Sequence, residues 1–196
     1  MLTYVDVTDL VRHADQLDHL ASTDGLTDLP NRRQFFARAE DEWNRFQRYH
    51  RPLTLLMIDV DNFKSLNDRF GHSSGDRALQ HFAALCKANT RSTDLVARIG
   101  GEEFAVLLPE TDLGSARELA ERLRVGIAEK PFTTIGGAET VITVSIGVAQ
   151  ASVSMSGFTR LMKLADDALY AAKANGRNRA MVSDDTPGVQ LRLAAE

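Results

Sequence analysis

Six residues in a row, Leu53-Thr54-Leu55-Leu56-Met57-Ile58, are apolar or β-branched and follow directly on Pro52. A run this short with such flanks suits a buried strand. A buried strand commits the chain to a packed core of α/β or α+β type. Two carboxylates, Asp59 and Asp61, stand at its end. A carboxylate there is rigidly placed and open to solvent. Residues 95–99 and 104–108 read as two more strands around Gly100-Gly101, a hairpin signal, and Glu102 and Glu103 sit at that turn. Carboxylates brought together from neighbouring strands suit Mg²⁺, which takes oxygen ligands and is usually shared with substrate phosphates. Of Asp59 and Asp61, only one is expected to ligate a given ion, the two being read as pointing to opposite faces.

Helical patterns alternate with these strands. A helix is expected over 31–49, with Phe35, Phe36, Ala39, Trp43 and Phe46 as a core-facing stripe. Further helices are expected over 74–89, 112–129 and 157–174, the second with Leu119, Leu123 and Ile127 on its apolar face. Residues 141–149 read as a strand and 179–182 as a last edge strand. Residues 1–22 place Val7, Leu10, Ala14, Leu17 and Ala21 in a heptad-like pattern, a helical stub able to dimerise as a coiled coil. The turn-rich segment 23–31 reads as the domain entrance, and the tail 183–196 as flexible. The fold class expected is α/β (α+β): a central, mostly antiparallel five-stranded sheet flanked by helices, with an N-terminal helix.

Composition narrows the partners. The 196 residues are 43% hydrophobic and 26% charged, ordinary for a globular protein with one core. A net charge of −4 gives no bulk attraction to nucleic acid or to an anionic membrane. No apolar stretch approaches the ~18–20 residues of a membrane span, and no secretory leader is seen. Cys86, the single cysteine, has no internal disulfide partner and is expected to be a small buried hydrophobe, which fits a reducing cytoplasm.

Six segments together resemble one family. Arg98-Ile-Gly-Gly-Glu-Glu-Phe104 is similar to the signature of the GGDEF family of diguanylate cyclases. Asp24-Gly-Leu-Thr-Asp-Leu-Pro-Asn-Arg-Arg33 resembles the family's entrance motif, and Asp59-Val-Asp-Asn-Phe-Lys-Ser-Leu-Asn67 its first strand and following helix. Gly71-His-Ser-Ser-Gly-Asp76, Thr143-Val-Ser-Ile-Gly147, and Ala168-Leu-Tyr-Ala-Ala-Lys173 with Gly176-Arg-Asn-Arg179 follow in the family's order over residues 23–182. The resemblance implies a nucleotidyl-cyclase or palm-like fold that condenses two GTP into cyclic di-GMP and two pyrophosphates, with Mg²⁺ (or Mn²⁺) as cofactor, in a two-fold homodimer.

It also implies residue roles. Asp59, Glu102 and the Val60 carbonyl would hold the metal, with Asp61 either structural or supporting the metal's ligands from behind. Lys64 and the backbone amides of Asn62 and Phe63 would meet the phosphates, joined by Lys173 and Arg177, which are four apart on the last helix and its end and so are expected to share a face. Guanine presents N1–H and N2–H₂ as adjacent donors; Asp76 would accept from them, with Asn67 as companion. Glu103 would activate the attacking 3′-hydroxyl or orient the partner site. Arg91-Ser-Thr-Asp94 matches the family's RxxD product-inhibition site, with Arg122 as a secondary contributor. The competing reading is a non-catalytic cyclic di-GMP receptor module. The intact signature, Asp59 and Lys64 count against it, while a mixed guanine–adenine product would still be compatible with Asp76.

Overall fold

The computed structural model describes residues 22–183, so the helix expected over 1–22, except its last residue, and the tail after Ser183 lie outside the described residues. Helix α1, Arg32–Tyr49, starts where the Asn31 side chain accepts a hydrogen bond from the Gln34 amide, an N-cap. It buries Phe35, Ala39, Trp43 and Phe46, spaced by three and four. It stops at His50, which turns left-handed before Pro52. Strand β1, Leu53–Val60, is buried along its whole length. Helices α2, Phe63–Phe70, and α3, His72–Asn89, follow, meeting at Gly71 with φ of 82°. Then come β2, Leu95–Arg98, β3, Glu103–Pro109, and α4, Leu113–Glu129, capped by the Asp112 carboxylate on the Ser115 amide. A two-stranded hairpin of β4, Phe132–Thr133, and β5, Glu139–Thr140, precedes β6, Val144–Gln150. Helix α5, Phe158–Ala174, and the short β7, Ala180–Val182, complete the described chain.

The main sheet has five strands in the order β2-β3-β1-β6-β7. All its pairings are antiparallel except β6 with β7. The run that reads as a buried strand is thus the middle strand. Its alternate residues feed two cores. Leu53, Leu55 and Met57 join α1 and α5 on one face; Leu56, Ile58 and Val60 join α3 and α4 on the other. Helix α5 approaches β6 so closely that a β-carbon on Gly147 would fall on the Ala165 carbonyl oxygen and the Leu169 amide. Cys86 is fully buried in α3, and burial pushes its thiol well up, which leaves it an inert hydrophobe.

Several boundaries differ from those expected. Helix α3 begins at His72, two residues early, because Gly71 makes the turn out of α2. The strand expected over 141–149 runs instead over Val144–Gln150, with Thr143 just ahead of it bonded to Asp61 through both its hydroxyl and its carbonyl.

Candidate active site

The carboxylates converge at one end of the β1–β3 ladder. Asp59 lies opposite Glu103 in register, and the Val60 amide donates to the Glu102 carbonyl at 3.2 Å. Lys173, on the last turn of α5, places its Nζ 2.8 Å from Asp59 Oδ2. Burial pushes the Asp59 carboxyl above its ordinary range, against the pull of Lys173 and with further push from Glu103 and Asp61. Glu102 is pushed up as well, by burial and by the charge of Asp59. Glu103 folds back so that its Oε2 covers the space a side chain on Gly100 would need. Over Gly101 that space is open.

Asp61 differs from Asp59 in partner and not in face, which corrects the expectation of opposite faces. Residues two apart on a strand share a side, and Asp61 accepts from Ser145, the cross-strand neighbour of Asp59. Its Oδ1 takes the Ser145 hydroxyl at 2.7 Å. Its Oδ2 takes the Thr143 hydroxyl at 2.8 Å and the Asn178 amide at 3.0 Å. Both of its oxygens are thus engaged by protein donors.

Beside this corner, Asn62 turns left-handed (φ 55°) ahead of α2, and its side chain makes no cap. The first amides of α2 and the exposed Lys64 are therefore presented together at a helix N-terminus. Asn67 Oδ1 is buried without a hydrogen-bond partner and lies against Gly75, where a β-carbon would strike it. Asp76 is exposed one residue along α3, inside the helix, so it is not the N-cap. Arg177 is exposed but stands beyond the end of α5, in a left-handed loop. The shared helix face expected for Lys173 and Arg177 is absent, because α5 stops at Ala174.

One supporting contact was invisible in the sequence. Arg98 donates to the Gly101 carbonyl through Nη2 at 2.7 Å and through Nε at 3.2 Å, and pairs with Asp24 at 3.0 Å. The entrance segment thus braces the Gly-Gly turn. The two residues are 74 positions apart, and only their presence in two separate motifs hinted at a link. Burial raises the Asp24 carboxyl, but hydrogen bonds from Thr27 and Arg98 outweigh it and hold it below its ordinary range. A depressed carboxylate adds stability above its unfolded pKa and loses it as pH falls through the folded one. Asp24→Asn is expected to cost about 1 kcal/mol at pH 7, discounted for partial exposure. The gap to wild type should close as melts are repeated toward pH 3. A gap that stays constant with pH would contradict this account.

The RxxD segment forms the turn between α3 and β2. The Arg91 amide donates to Asp94 Oδ2 at 2.8 Å, while Asp94 Oδ1 is buried without a partner. Arg122 reaches across from α4 to the Asn89 carbonyl at 3.1 Å. A cavity of about 410 Å³ here is lined by Arg38, Lys87, Arg91 and Asp94, among others. A larger one of about 600 Å³ lies near Tyr49, Leu53 and Pro109. Leu53 and Pro109 pair at the far end of β1 from Asp59, so neither cavity contains the carboxylate corner.

Fold and site together define a mixed five-stranded sheet domain with carboxylates gathered at one sheet end, and comparison with known proteins gives its family. Residues 21–179 match the family described as "Diguanylate cyclase, GGDEF domain", and the chain belongs to that family. It is 42% identical over 175 residues to the response regulator PleD of Caulobacter vibrioides, covering 87% of this chain and 38% of PleD. It is 43% identical over 178 residues to the diguanylate cyclase DgcM of Escherichia coli, covering 91% of this chain and 42% of DgcM. The chain therefore spans about two fifths of the length of these relatives. Among solved structures, the coiled coil and GGDEF domain of DgcB from Caulobacter crescentus in complex with c-di-GMP aligns with a TM-score of 0.86 at 31% identity, covering 90% of this chain and 93% of that one. The active GGEEF domain of a diguanylate cyclase from Vibrio cholerae aligns with a TM-score of 0.74 at 36% identity, covering 78% and 96%. No helix among the described residues is long and apolar enough to cross a membrane.

Proposed function

We propose that residues 23–182 form a diguanylate cyclase domain that converts two GTP into cyclic di-GMP and two pyrophosphates. The observation that carries this reading is the carboxylate corner of Asp59 and Glu102, with a single ammonium, Lys173, 2.8 Å from Asp59. Both carboxyls are pushed up by burial, and Glu102 also by the Asp59 charge, so the corner favours a cation. Among the described residues no three His, Cys, Asp or Glu side chains are grouped for a metal. Two carboxylates and a carbonyl with open positions suit Mg²⁺ (or Mn²⁺), which completes its shell with water and phosphate oxygens. Asp59, Glu102 and the Val60 carbonyl would hold it. Bound there, it would supply charge neutralisation at the α-phosphate and the departing pyrophosphate.

The remaining roles belong to the chain. The α2 amides and Lys64 receive the terminal phosphates, and Lys173 and Arg177 add further charge. Asp76 accepts from the guanine edge, and the unpartnered Asn67 Oδ1 is a second acceptor beside it. Glu103 takes the proton as the 3′-oxygen attacks the partner's α-phosphorus and the bond to pyrophosphate breaks. Each site holds one GTP, so two must face each other in a two-fold homodimer. The heptads of residues 1–22 would raise the concentration of one site near the other. Arg91, Asp94 and Arg122 would bind the product and inhibit. GTP as substrate and a reduced Cys86 suit the cytoplasm.

Product analysis across a range of protein concentrations, with GTP and Mg²⁺, tests the reading. Cyclic di-GMP should form at a rate rising more steeply than linearly with protein. No product at any concentration, with cyclic di-GMP still bound, would move the assignment to the receptor module.

A further inference from the structure

We propose that Asp61, whose carboxylate is taken up by Ser145, Thr143 and the Asn178 amide, is a positioning residue that sets Arg177 for the GTP phosphates. The inference rests on the phosphate role given to Arg177 above.

The loop between α5 and β7 takes an unusual path. Gly176, Arg177 and Asn178 have φ of 111°, 61° and 44°. Two successive non-glycine residues stay in the left-handed region only where surroundings hold them. Four bonds do so here. The Arg177 amide donates to the Ala172 carbonyl at 3.1 Å, and Arg179 Nε donates to the Arg177 carbonyl at 3.1 Å. Arg124 donates to Asn178 Oδ1 at 3.1 Å, and the Asn178 amide donates to Asp61 Oδ2 at 3.0 Å.

Only the last of these four ties the loop to the end of β1, the strand that carries Asp59. The Asp61 carboxylate is itself fixed: it is 7% exposed and held by the Ser145 and Thr143 hydroxyls. Arg177, by contrast, is exposed, and its guanidinium has no hydrogen bond or ion pair among the described residues. The Arg177 backbone is thus held at both its amide and its carbonyl, and the cation it carries is unspent. A long side chain on a free loop loses much of its binding energy to ordering, and a preset backbone lowers that cost. Asp61 thereby acts at the site through Arg177 without touching substrate.

The test measures the affinity of the full chain for a non-hydrolysable GTP analogue with Mg²⁺ by calorimetry. Arg177→Ala is expected to weaken binding about tenfold, the loss of one charge-assisted contact. Asp61→Ala should cost about as much in the wild-type background and less than about twofold in the Arg177→Ala background. Asp61→Asn, which keeps an acceptor for the Asn178 amide, should lose less than Asp61→Ala. Ser145→Ala removes a donor to the other carboxylate oxygen and leaves the bond to the Asn178 amide; it should lower the melting temperature and cost less analogue affinity than Asp61→Ala. Additive losses in the double variant would overturn the positioning role alone. Wild-type affinity in Arg177→Ala would overturn the phosphate role and this inference with it. Where Asp61→Ala fails to fold, Asp61→Asn with and without Arg177→Ala carries the same comparison.

Discussion

Glu102→Ala is expected to lower cyclic di-GMP formation by at least about 10³-fold, the scale on which a group stabilising transition-state charge acts. The fold should survive the change. The Glu102 side chain is only partly buried, and the bond from the Val60 amide is to its backbone carbonyl, which alanine keeps. Removing the carboxylate also removes a like charge next to Asp59, whose proximity pushes Glu102 up. The melting temperature without metal should therefore stay level or rise, while the stabilisation given by Mg²⁺ with a GTP analogue should vanish. Product analysis and thermal melts on the same preparation separate the two effects. Product above a tenth of the wild-type rate would remove Glu102 from the chemistry.

Gly147→Ala is the change expected to damage the fold most. The added β-carbon would overlap the Ala165 carbonyl oxygen and the Leu169 amide, and would stand 2.9 Å from the Leu169 α-carbon. All three are backbone atoms, so no side-chain rotation relieves the clash. Helix α5 must lift from β6, opening a core that includes Leu161, Leu164, Ala165 and Leu169. A cost of about 3 kcal/mol is expected, read in urea unfolding as a lower midpoint at unchanged slope. Because α5 also carries Lys173, turnover should fall beyond what the lost stability explains. A cost under about 0.5 kcal/mol, the range of an ordinary surface change, would mean that the helix has room the structure does not give it.

The strongest features of fold and site were legible because they rest on local patterns. The run before Asp59 reads as a buried strand because both of its faces are covered, and the Gly100-Gly101 turn announces its hairpin. Helices α1, α4 and α5 follow their apolar spacing to within a residue or so of the expected ends. The small β4–β5 hairpin was missed because it is short and mostly exposed, though Gly136-Gly137 between threonine-containing segments was a usable turn signal. The shared face read for Lys173 and Arg177 from their spacing of four does not form, because Gly176 already marks the end of the helix. The brace from Asp24 through Arg98 to Gly101, and the hold of Asp61 on Asn178, join residues too distant in sequence for any local period to reveal.

The central position of β1 has a consequence during synthesis. Asp61, just past its end, meets Ser145 of β6 across 84 positions of chain. At a translation speed of roughly 5–20 residues per second, the strand leaves the ribosome some 4–17 seconds before that neighbour exists. For that interval a segment apolar on both faces has an open hydrogen-bonding edge and one of its layers unbuilt. Nascent chains of this protein are therefore exposed to pairing with one another before the carboxylate end of the sheet can assemble, and their yield in the cell should depend on holdase chaperones more than the finished domain does.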